Sequence, residues 1–182
     1  MEWDGYEGWI TELQTHKVSE EIYNEIISND TIISSDMMNY VSNQDNLIFP
    51  IPIGSDLRAL KKLNHTFNGE TYSPEADKKK LSKTAFMYLN SPYLWGGRTP
   101  LGIDCSGFTQ IVYKINGVKL SRDAHEQANQ GQTLSFIEES EAGDLAFFDD
   151  PEGKIVHVGL LLKDHYIIPV SYTHLTLPTT DR

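Results

Sequence analysis

Cys105 and His157 are the two residues whose types and positions could together perform chemistry. Cys105 follows a glycine-rich loop and precedes apolar residues at helical spacing, so it is predicted to open a helix. The unpaired N–H groups and the dipole of a helix start favour negative charge and would stabilise a thiolate there. His157 lies in a later apolar stretch typical of a strand and could serve the thiol as a general base. The pair therefore predicts nucleophilic catalysis by a cysteine.

Each of these residues also has a simpler interpretation. A lone cysteine is most often a small buried hydrophobic residue, and a lone strand histidine is most often a hydrogen-bonded core residue. Tyr93 and Trp95 alone are loop aromatics that pack, and Asp104 alone is a helix cap. The combination of glycine-rich loop, helix-opening cysteine and strand histidine favours catalysis. The glycines that would permit the close backbone approach of an oxyanion site are Gly96, Gly97, Gly102 and Gly107.

The elements that must position the pair can be predicted from hydrophobic periodicity. A helix is predicted to begin with Ser73 as N-cap and to end near Asn90, and a second helix is predicted from Cys105 to Ile115. The apolar runs at 145–148 and 155–162 predict two strands joined by a turn. Helices followed by an antiparallel sheet are typical of an α+β domain.

The N-terminal part of the chain has a different pattern. Short apolar runs alternate with turns over residues 30–72, and the breaks at Pro50 and Pro52 favour a small β barrel of about five strands. Residues 1–14 are predicted to be the last hairpin of a truncated β module, and residues 15–29 a linker. The native N-terminus is therefore expected to be missing.

Composition excludes several classes of function. Fifteen basic against 26 acidic residues give a net charge of −11 at pH 7, which argues against nucleic acid or an anionic membrane as partner. A single cysteine excludes an intrachain disulfide framework and a multi-cysteine zinc site, and no metal or cofactor is expected. No run of about 18 apolar residues predicts a membrane span, and no secretory leader follows Met1.

Several short motifs stand in the order typical of the NlpC-type cell-wall cysteine peptidases, which the chain resembles over residues 76–168. The matching stretches are 93–97 (YLWGG), 102–108 (GIDCSGF), 121–124 (SRDA) with Gln127, 142–148 (AGDLAFF) and 157–160 (HVGL). The resemblance implies a papain-like α+β fold, in which helices pack on an antiparallel sheet. It also implies hydrolysis of γ-D-glutamyl–diamino acid bonds in peptidoglycan stem peptides, without a cofactor.

The resemblance implies a role for individual residues. Cys105 is implied to be the nucleophile and His157 the base, and Tyr93 is implied to lie near the oxyanion pocket. The residues implied to line the substrate side are Asp104, Ser106 and Asp123. The third catalytic position, which orients the base, falls on Pro169, where the family usually has histidine. A proline has no side-chain hydrogen-bonding group, so this chain is expected to be an impaired enzyme.

A second resemblance concerns the two ends of the chain. Residues 30–72 resemble the bacterial SH3-like module of one subgroup, in which an acidic pocket holds a free N-terminal L-alanine amine. The position after Asp123, often serine in that subgroup, is Ala124 here. Residues 170–182 resemble one reading frame of a sequencing adapter and are predicted to be a non-native tail. The catalytic domain, 73–169, is then predicted to be truncated at its C-terminal end.

Three functions stay open at this point. The first is a cysteine endopeptidase of murein turnover or recycling, with stem peptides or muropeptides as its partners. The second is a papain-like amidase or acyltransferase using the same pair, and the third is an inactive wall-binding fragment. The implied substrate favours the cell envelope, either periplasmic or extracellular, although a lone thiol is also compatible with the cytoplasm.

Overall fold

A computed structural model of the chain describes residues 2–3 and 6–168. The helices are α1 (Glu20–Ser28), α2 (Lys78–Met87), α3 (Cys105–Ile115) and α4 (Ala124–Gln127). The strands are β1 (Glu2–Trp3), β2 (Tyr6–Glu7), β3 (Ile33–Ser34), β4 (Met38–Ser42), β5 (Ile48–Pro52), β6 (Thr66–Phe67), β7 (Thr71–Tyr72), β8 (Arg98–Thr99), β9 (Gly102–Ile103), β10 (Leu145–Asp149), β11 (Ile155–Leu161) and β12 (Ile167–Ile168). The chain divides into two compact units, Met1–Pro74 and Glu75–Arg182. The domain ranges inferred from the sequence stay predictions.

Over residues 30–72, the first unit contains two small antiparallel sheets. Strands β5, β4 and β6 form one sheet in that order, and β3 pairs with β7 in another. The five strands described there, β3 to β7, do not form a closed barrel, and the SH3-like barrel predicted over 30–72 stays a prediction. Pro50 and Pro52 lie in β5, the edge strand, where the missing N–H groups prevent further pairing.

The segment predicted to be a linker contains a helix. Helix α1 begins after Ser19, whose hydroxyl accepts a hydrogen bond of 3.3 Å from the N–H of Ile22. At its other end, Arg58 donates to the carbonyl oxygens of Ile27 and Asn29 at 3.2 and 3.4 Å. No residue of α1 is buried. Strands β1 and β2, in the predicted hairpin of residues 1–14, pair antiparallel, although 1, 4 and 5 lie outside the described residues.

The second unit packs helices on an antiparallel sheet, which confirms the predicted α+β class. Its sheet has the order β10, β11, β12, and every pairing within it is antiparallel. Helix α3 is the central element, because Phe108, Ile111 and Val112 are buried along it. Val158 and Leu160 of β11 are also buried. Apolar residues at helical spacing on α3 and at alternate positions of β11 therefore form one core.

The start of α2 differs from the prediction. The helix begins at Lys78 with Asp77 as its N-cap, since the Asp77 carboxylate accepts a hydrogen bond of 3.0 Å from the N–H of Lys79. Ser73, the predicted N-cap, lies four residues earlier, and residues 73–77 are not helical. Helices α2 and α3 are joined by Asn116, whose buried amide donates to the Thr84 hydroxyl at 3.0 Å. In the described ranges, no helix is long and apolar enough to cross a membrane.

Two alanine substitutions in β11 test whether this strand forms the core of the second unit. Leu160 is 0% exposed, so Leu160→Ala removes buried methyl groups, leaves a cavity and should lower the free energy of unfolding by about 2–5 kcal/mol. Val156 is 52% exposed on the same strand, and Val156→Ala should change that energy by about 0.5 kcal/mol or less. Urea titrations of both variants measure the difference. Equal losses would show that β11 is not buried as described.

Candidate active site

Cys105 is the first residue of α3, and its position is set by the residue before it. Asp104 is the N-cap of α3, and its Oδ1 accepts a hydrogen bond of 2.6 Å from the N–H of Gly107. The Oδ2 of the same carboxylate accepts a bond of 2.8 Å from the N–H of Gly96. One carboxylate thus ties the glycine-rich loop to the helix start, and the predicted cap is present. Cys105 is 8% exposed at this junction.

The glycines at this junction are required by close backbone contacts. A side chain on Gly107 would overlap the carbonyl oxygen of Gly97, and one on Gly97 would overlap the carbonyl group of Gly102. The N–H of Asp104 donates to the Gly97 oxygen at 3.2 Å, which holds the loop against the helix start. The predicted close approach of the backbone therefore exists at Gly97 and Gly107.

The sulfur of Cys105 lies against strand β11. The backbone N–H of Val158 lies close enough to the sulfur to lower the pKa of the thiol, and Val158 directly follows His157 in the strand. The His157 ring is half-buried and lies 5.8 Å from the Phe148 ring, centroid to centroid. The fold thus brings Cys105 to the strand that carries His157. Within the described residues, no direct hydrogen bond joins the thiol to the imidazole; such bonds are often long in unliganded sites.

Burial determines the resting protonation of both groups. It raises the pKa of the Cys105 thiol; the Val158 N–H lowers that pKa, and the Asp104 carboxylate raises it. Burial also lowers the pKa of His157 below its ordinary value. The predicted stabilisation of a thiolate by the helix start is therefore outweighed by desolvation. At neutral pH the resting pair is a protonated thiol and a neutral imidazole.

Tyr93 lies at the edge of the same site. It forms a parallel bridge with Ile103, immediately before Asp104, and its side chain is 49% exposed. Partial burial raises the pKa of its hydroxyl, and the negative charges of ionised Cys105 and Asp104 raise it further. The Tyr93 hydroxyl is therefore within electrostatic range of the thiol, while much of its ring faces solvent.

The three residues predicted to line the substrate side have different surroundings. Asp104 and Ser106 are each only 6% exposed, and both are engaged by the protein. The Ser106 hydroxyl donates to the Asp104 carboxylate at 3.4 Å and accepts a bond of 3.0 Å from Arg122. Asp123 precedes α4, is half-buried, and its side chain does not cap that helix. Among the described residues, no hydrogen bond or ion pair occupies the Asp123 carboxylate, so it is the one free to meet a ligand.

Arg122 is the residue of the site that sequence reasoning missed. It donates to both oxygens of Asp104, at 3.1 Å from Nη1 to Oδ1 and 2.7 Å from Nη2 to Oδ2. The pair is buried, since the two side chains are 11% and 9% exposed. Burial would raise the pKa of Asp104, but the hydrogen bonds from Arg122 and Gly107 bring it below its ordinary value. The only signal in the sequence was the position of Arg122 inside a matched motif.

A buried glutamine fixes the segment that carries Arg122. Gln127 is 1% exposed, and its amide nitrogen donates to the carbonyl oxygens of Ser106 and Ser121 at 3.0 and 2.8 Å. Its amide oxygen accepts a bond of 2.7 Å from the Thr109 hydroxyl. These bonds join α4 and the preceding loop to the first turn of α3.

Two further predictions concern the limits of the site. Pro169, the predicted third catalytic position, and the predicted tail 170–182 lie outside the described residues. Over residues 2–3 and 6–168, no cluster of three or more His, Cys, Asp or Glu side chains could hold a metal ion.

The family of the chain can now be stated. The sequence model of the NlpC/P60 family matches residues 90–181, a stretch that includes α3, α4 and the sheet with both Cys105 and His157. The chain belongs to the NlpC/P60 family, which confirms the resemblance drawn from its motifs.

Similar proteins come from Bacillus species. The chain is 33% identical over 174 residues to the gamma-D-glutamyl-L-lysine dipeptidyl-peptidase of Bacillus subtilis, which covers 86% of this chain and 57% of that protein. The protein of the same name from Bacillus cereus is 33% identical over 132 residues, which cover 69% and 39%. The chain thus spans between 39% and 57% of the length of these relatives.

A solved structure has the same fold over most of the chain. The crystal structure of an NlpC/P60 family protein from Bacillus cereus superposes with a TM-score of 0.73 at 25% sequence identity. The superposition covers 91% of this chain and 61% of that one. The arrangement of helices and antiparallel sheets described above therefore matches a structure of the same family.

A single methyl group tests the close contact at the helix start. Alanine is preferred over glycine inside a helix by about 1 kcal/mol, so helix propensity alone predicts that Gly107→Ala stabilises the protein. The contact with the Gly97 carbonyl oxygen predicts the opposite, and we expect a loss of about 1–3 kcal/mol with slower alkylation of Cys105.

Urea titration and the alkylation rate at fixed pH measure both effects. Gly153→Ala is the matched control, because a side chain there would meet no atom within 4 Å. Gly153 has φ +79°, so this variant should lose some stability and keep the alkylation rate unchanged. Stabilisation by Gly107→Ala would disprove the close contact.

Proposed function

We propose that the chain is a cysteine peptidase that hydrolyses the γ-D-glutamyl–diamino acid bond of peptidoglycan stem peptides. The observation that carries the proposal is the placement of Cys105, the only cysteine, at the start of α3 and against the strand of His157. Membership of the NlpC/P60 family and the names of the Bacillus relatives support this substrate class.

The resting protonation states favour a general-base mechanism. As the Cys105 sulfur attacks the γ-glutamyl carbonyl carbon, its proton passes to the neutral His157 imidazole. The tetrahedral intermediate then expels the amine of the diamino acid, which takes the proton from His157 and leaves a thioester. Water attacks the thioester carbonyl carbon and gives a proton to His157. The second tetrahedral intermediate then breaks its C–S bond, the sulfur takes that proton back from His157, and the product leaves with a free γ-carboxyl group.

The oxyanion of the intermediate would form at the start of α3. The backbone N–H groups of Cys105 and Ser106 lie close enough to the sulfur to lower the pKa of the thiol, and a helix start offers unpaired donors. The Tyr93 hydroxyl is within electrostatic range of the same place. We assign these groups to the stabilisation of the developing negative charge.

Asp123 is the residue we assign to recognition of the substrate amine. Its half-buried carboxylate has no partner among the described residues, in contrast to Asp104, whose oxygens are both occupied. A stem peptide released from the glycan carries a free N-terminal amine, which a carboxylate can bind by a charge-assisted hydrogen bond. Asp104 and Ser106 would then support this side of the groove through their contacts with Arg122, without direct contact to the amine.

The remaining parts of the proposal concern the rest of the protein. We assign position 169 to the group that orients His157, and we assign residues 30–72 to an SH3-like module ahead of the peptidase. We also assign the protein to the cell envelope, because that is where its proposed substrate lies. Pro169 favours a second candidate, a wall-binding fragment without turnover, because the proline side chain has no hydrogen-bonding group to hold the imidazole.

The first experiment tests the nucleophile and the base. Cys105→Ala should abolish hydrolysis of L-Ala-γ-D-Glu-diamino acid peptides, and His157→Ala should reduce it by a similar factor, because the two residues act as a unit. Chromatography of the products measures both. The expected products are L-Ala-γ-D-Glu and the peptide that begins with the diamino acid.

The control is His16→Ala, which removes an exposed histidine of the first unit and should leave turnover unchanged. If the products are a free glycan and an intact peptide, the chain is an amidase and the peptidase assignment is wrong. Binding of the peptide by the unsubstituted chain, without any turnover, would establish the wall-binding fragment.

The second experiment tests the resting protonation through the pH dependence of kcat/KM. Activity requires neutral His157, and burial lowers its pKa, so the acid limb should lie below the ordinary histidine value of about 6.5. Burial raises the pKa of Cys105, so thiol alkylation should reach its midpoint above the ordinary value of about 8.5. An acid limb above 6.5 combined with a thiol midpoint far below 8.5 would indicate a thiolate–imidazolium pair.

A further inference from the structure

Arg122 stands between the catalytic helix and the loop before α4. Its guanidinium donates to both oxygens of Asp104 and to the hydroxyl of Ser106, so it contacts the residues on either side of Cys105. The Arg122 and Asp104 side chains are 11% and 9% exposed. An ion pair with this burial interacts strongly, since solvent screens it little.

The charge of Asp104 would by itself oppose the chemistry of its neighbour. A carboxylate beside a thiol disfavours the thiolate, and the Asp104 charge does raise the pKa of Cys105. The same carboxylate is needed for structure, because it accepts the N–H groups of Gly96 and Gly107 and caps α3. The site therefore needs this carboxylate together with a cation that compensates its charge.

We propose that Arg122 is a positioning residue for the reaction, which holds Asp104 and Ser106 at the start of α3 and offsets part of the carboxylate charge beside the Cys105 thiol. This role deepens the proposed function, because it rests on Cys105 as the nucleophile. The planar fork of arginine reaches two carboxylate oxygens and a hydroxyl at once, which a lysine ammonium cannot reproduce with the same geometry.

Other ionisable groups lie on the elements at and around the start of α3 and must be considered with the pair. They come from the helix start, the glycine-rich loop, β8, β11 and the start of α4, and they are Asp104, Tyr93, Arg98, His157 and Asp123. Arg98 already has interactions of its own. Arg122 is the cation seen on both Asp104 oxygens within the described part of the chain.

The test measures the ionisation of Cys105 without any substrate. The chain has one cysteine, so the rate of alkylation by iodoacetamide, followed by intact mass over a range of pH, reports on Cys105 alone. Arg122→Gln should move the midpoint of this profile upward by about one pH unit, because the Asp104 charge is no longer compensated. Arg122→Lys keeps the positive charge, so its midpoint should lie close to that of the unsubstituted chain.

Asp104→Asn gives a shift of the opposite sign and does not depend on whether Arg122→Gln folds. With the arginine charge left uncompensated, the midpoint should fall below that of the unsubstituted chain. The Arg122→Gln/Asp104→Asn double variant removes both charges and should return the midpoint to within a few tenths of a unit. Circular dichroism of each variant confirms that the fold is retained.

Gln127→Met is the matched control. It removes hydrogen bonds at the same junction without changing any charge, so it should lower stability and leave the alkylation midpoint in place. An unchanged midpoint in folded Arg122→Gln, or in Asp104→Asn, would overturn the electrostatic role and leave Arg122 as a structural residue.

The readout separates this proposal from the proposed function. If the midpoints move as expected and no stem peptide is cleaved, the role of Arg122 in thiol ionisation stands and the assigned substrate fails. If the peptide is cleaved and the midpoints do not move, the peptidase assignment stands and the role of Arg122 fails.

Discussion

The Asp104 carboxylate is the interaction on which the geometry of the site depends. Its two oxygens accept the N–H groups of Gly107 and Gly96 and the guanidinium of Arg122, so it joins the helix start, the glycine-rich loop and the segment before α4. Each of these elements is short or irregular, and none would hold Cys105 in place alone. Removing one partner would leave a buried charge uncompensated, which costs more than the bond itself contributes. The carboxylate thus converts three local structures into one rigid junction.

The position of the thiol follows from this junction and from the sheet behind it. Strand β11 lies between its antiparallel neighbours β10 and β12, and its Val158 N–H lies close to the sulfur. Because β10 pairs with β11 at Phe148 and His157, the backbone at His157 is held by the sheet. Helix α3 and strand β11 therefore act as the two rigid elements of the site, and a site built on rigid elements keeps its geometry more precisely than one built on loops.

Sequence reasoning predicted the parts of the structure that depend on local pattern. The helix from Cys105 to Ile115, its Asp104 cap and the two strands were accessible because periodicity and capping are local properties. The pairing of Arg122 with Asp104 could not be predicted, because an ion pair between separate segments leaves no periodic pattern in the sequence. The open arrangement of strands β3 to β7 and the desolvation of the thiol also depend on tertiary structure.

The family match continues to residue 181, across the residues predicted to be a non-native tail, and that prediction stays a prediction.

Desolvation has a consequence for selectivity as well as for ionisation. Burial raises the pKa of Cys105 and lowers that of His157, so both groups favour their neutral forms before substrate binds. A neutral thiol is a poor nucleophile and is oxidised more slowly than a thiolate, which protects the single cysteine from oxidation. In the proposed mechanism, proton transfer from thiol to imidazole becomes favourable only when the developing charge on sulfur is passed to a carbonyl oxygen near the helix start. The same burial that opposes a resting thiolate would therefore couple its formation to the presence of an acyl substrate.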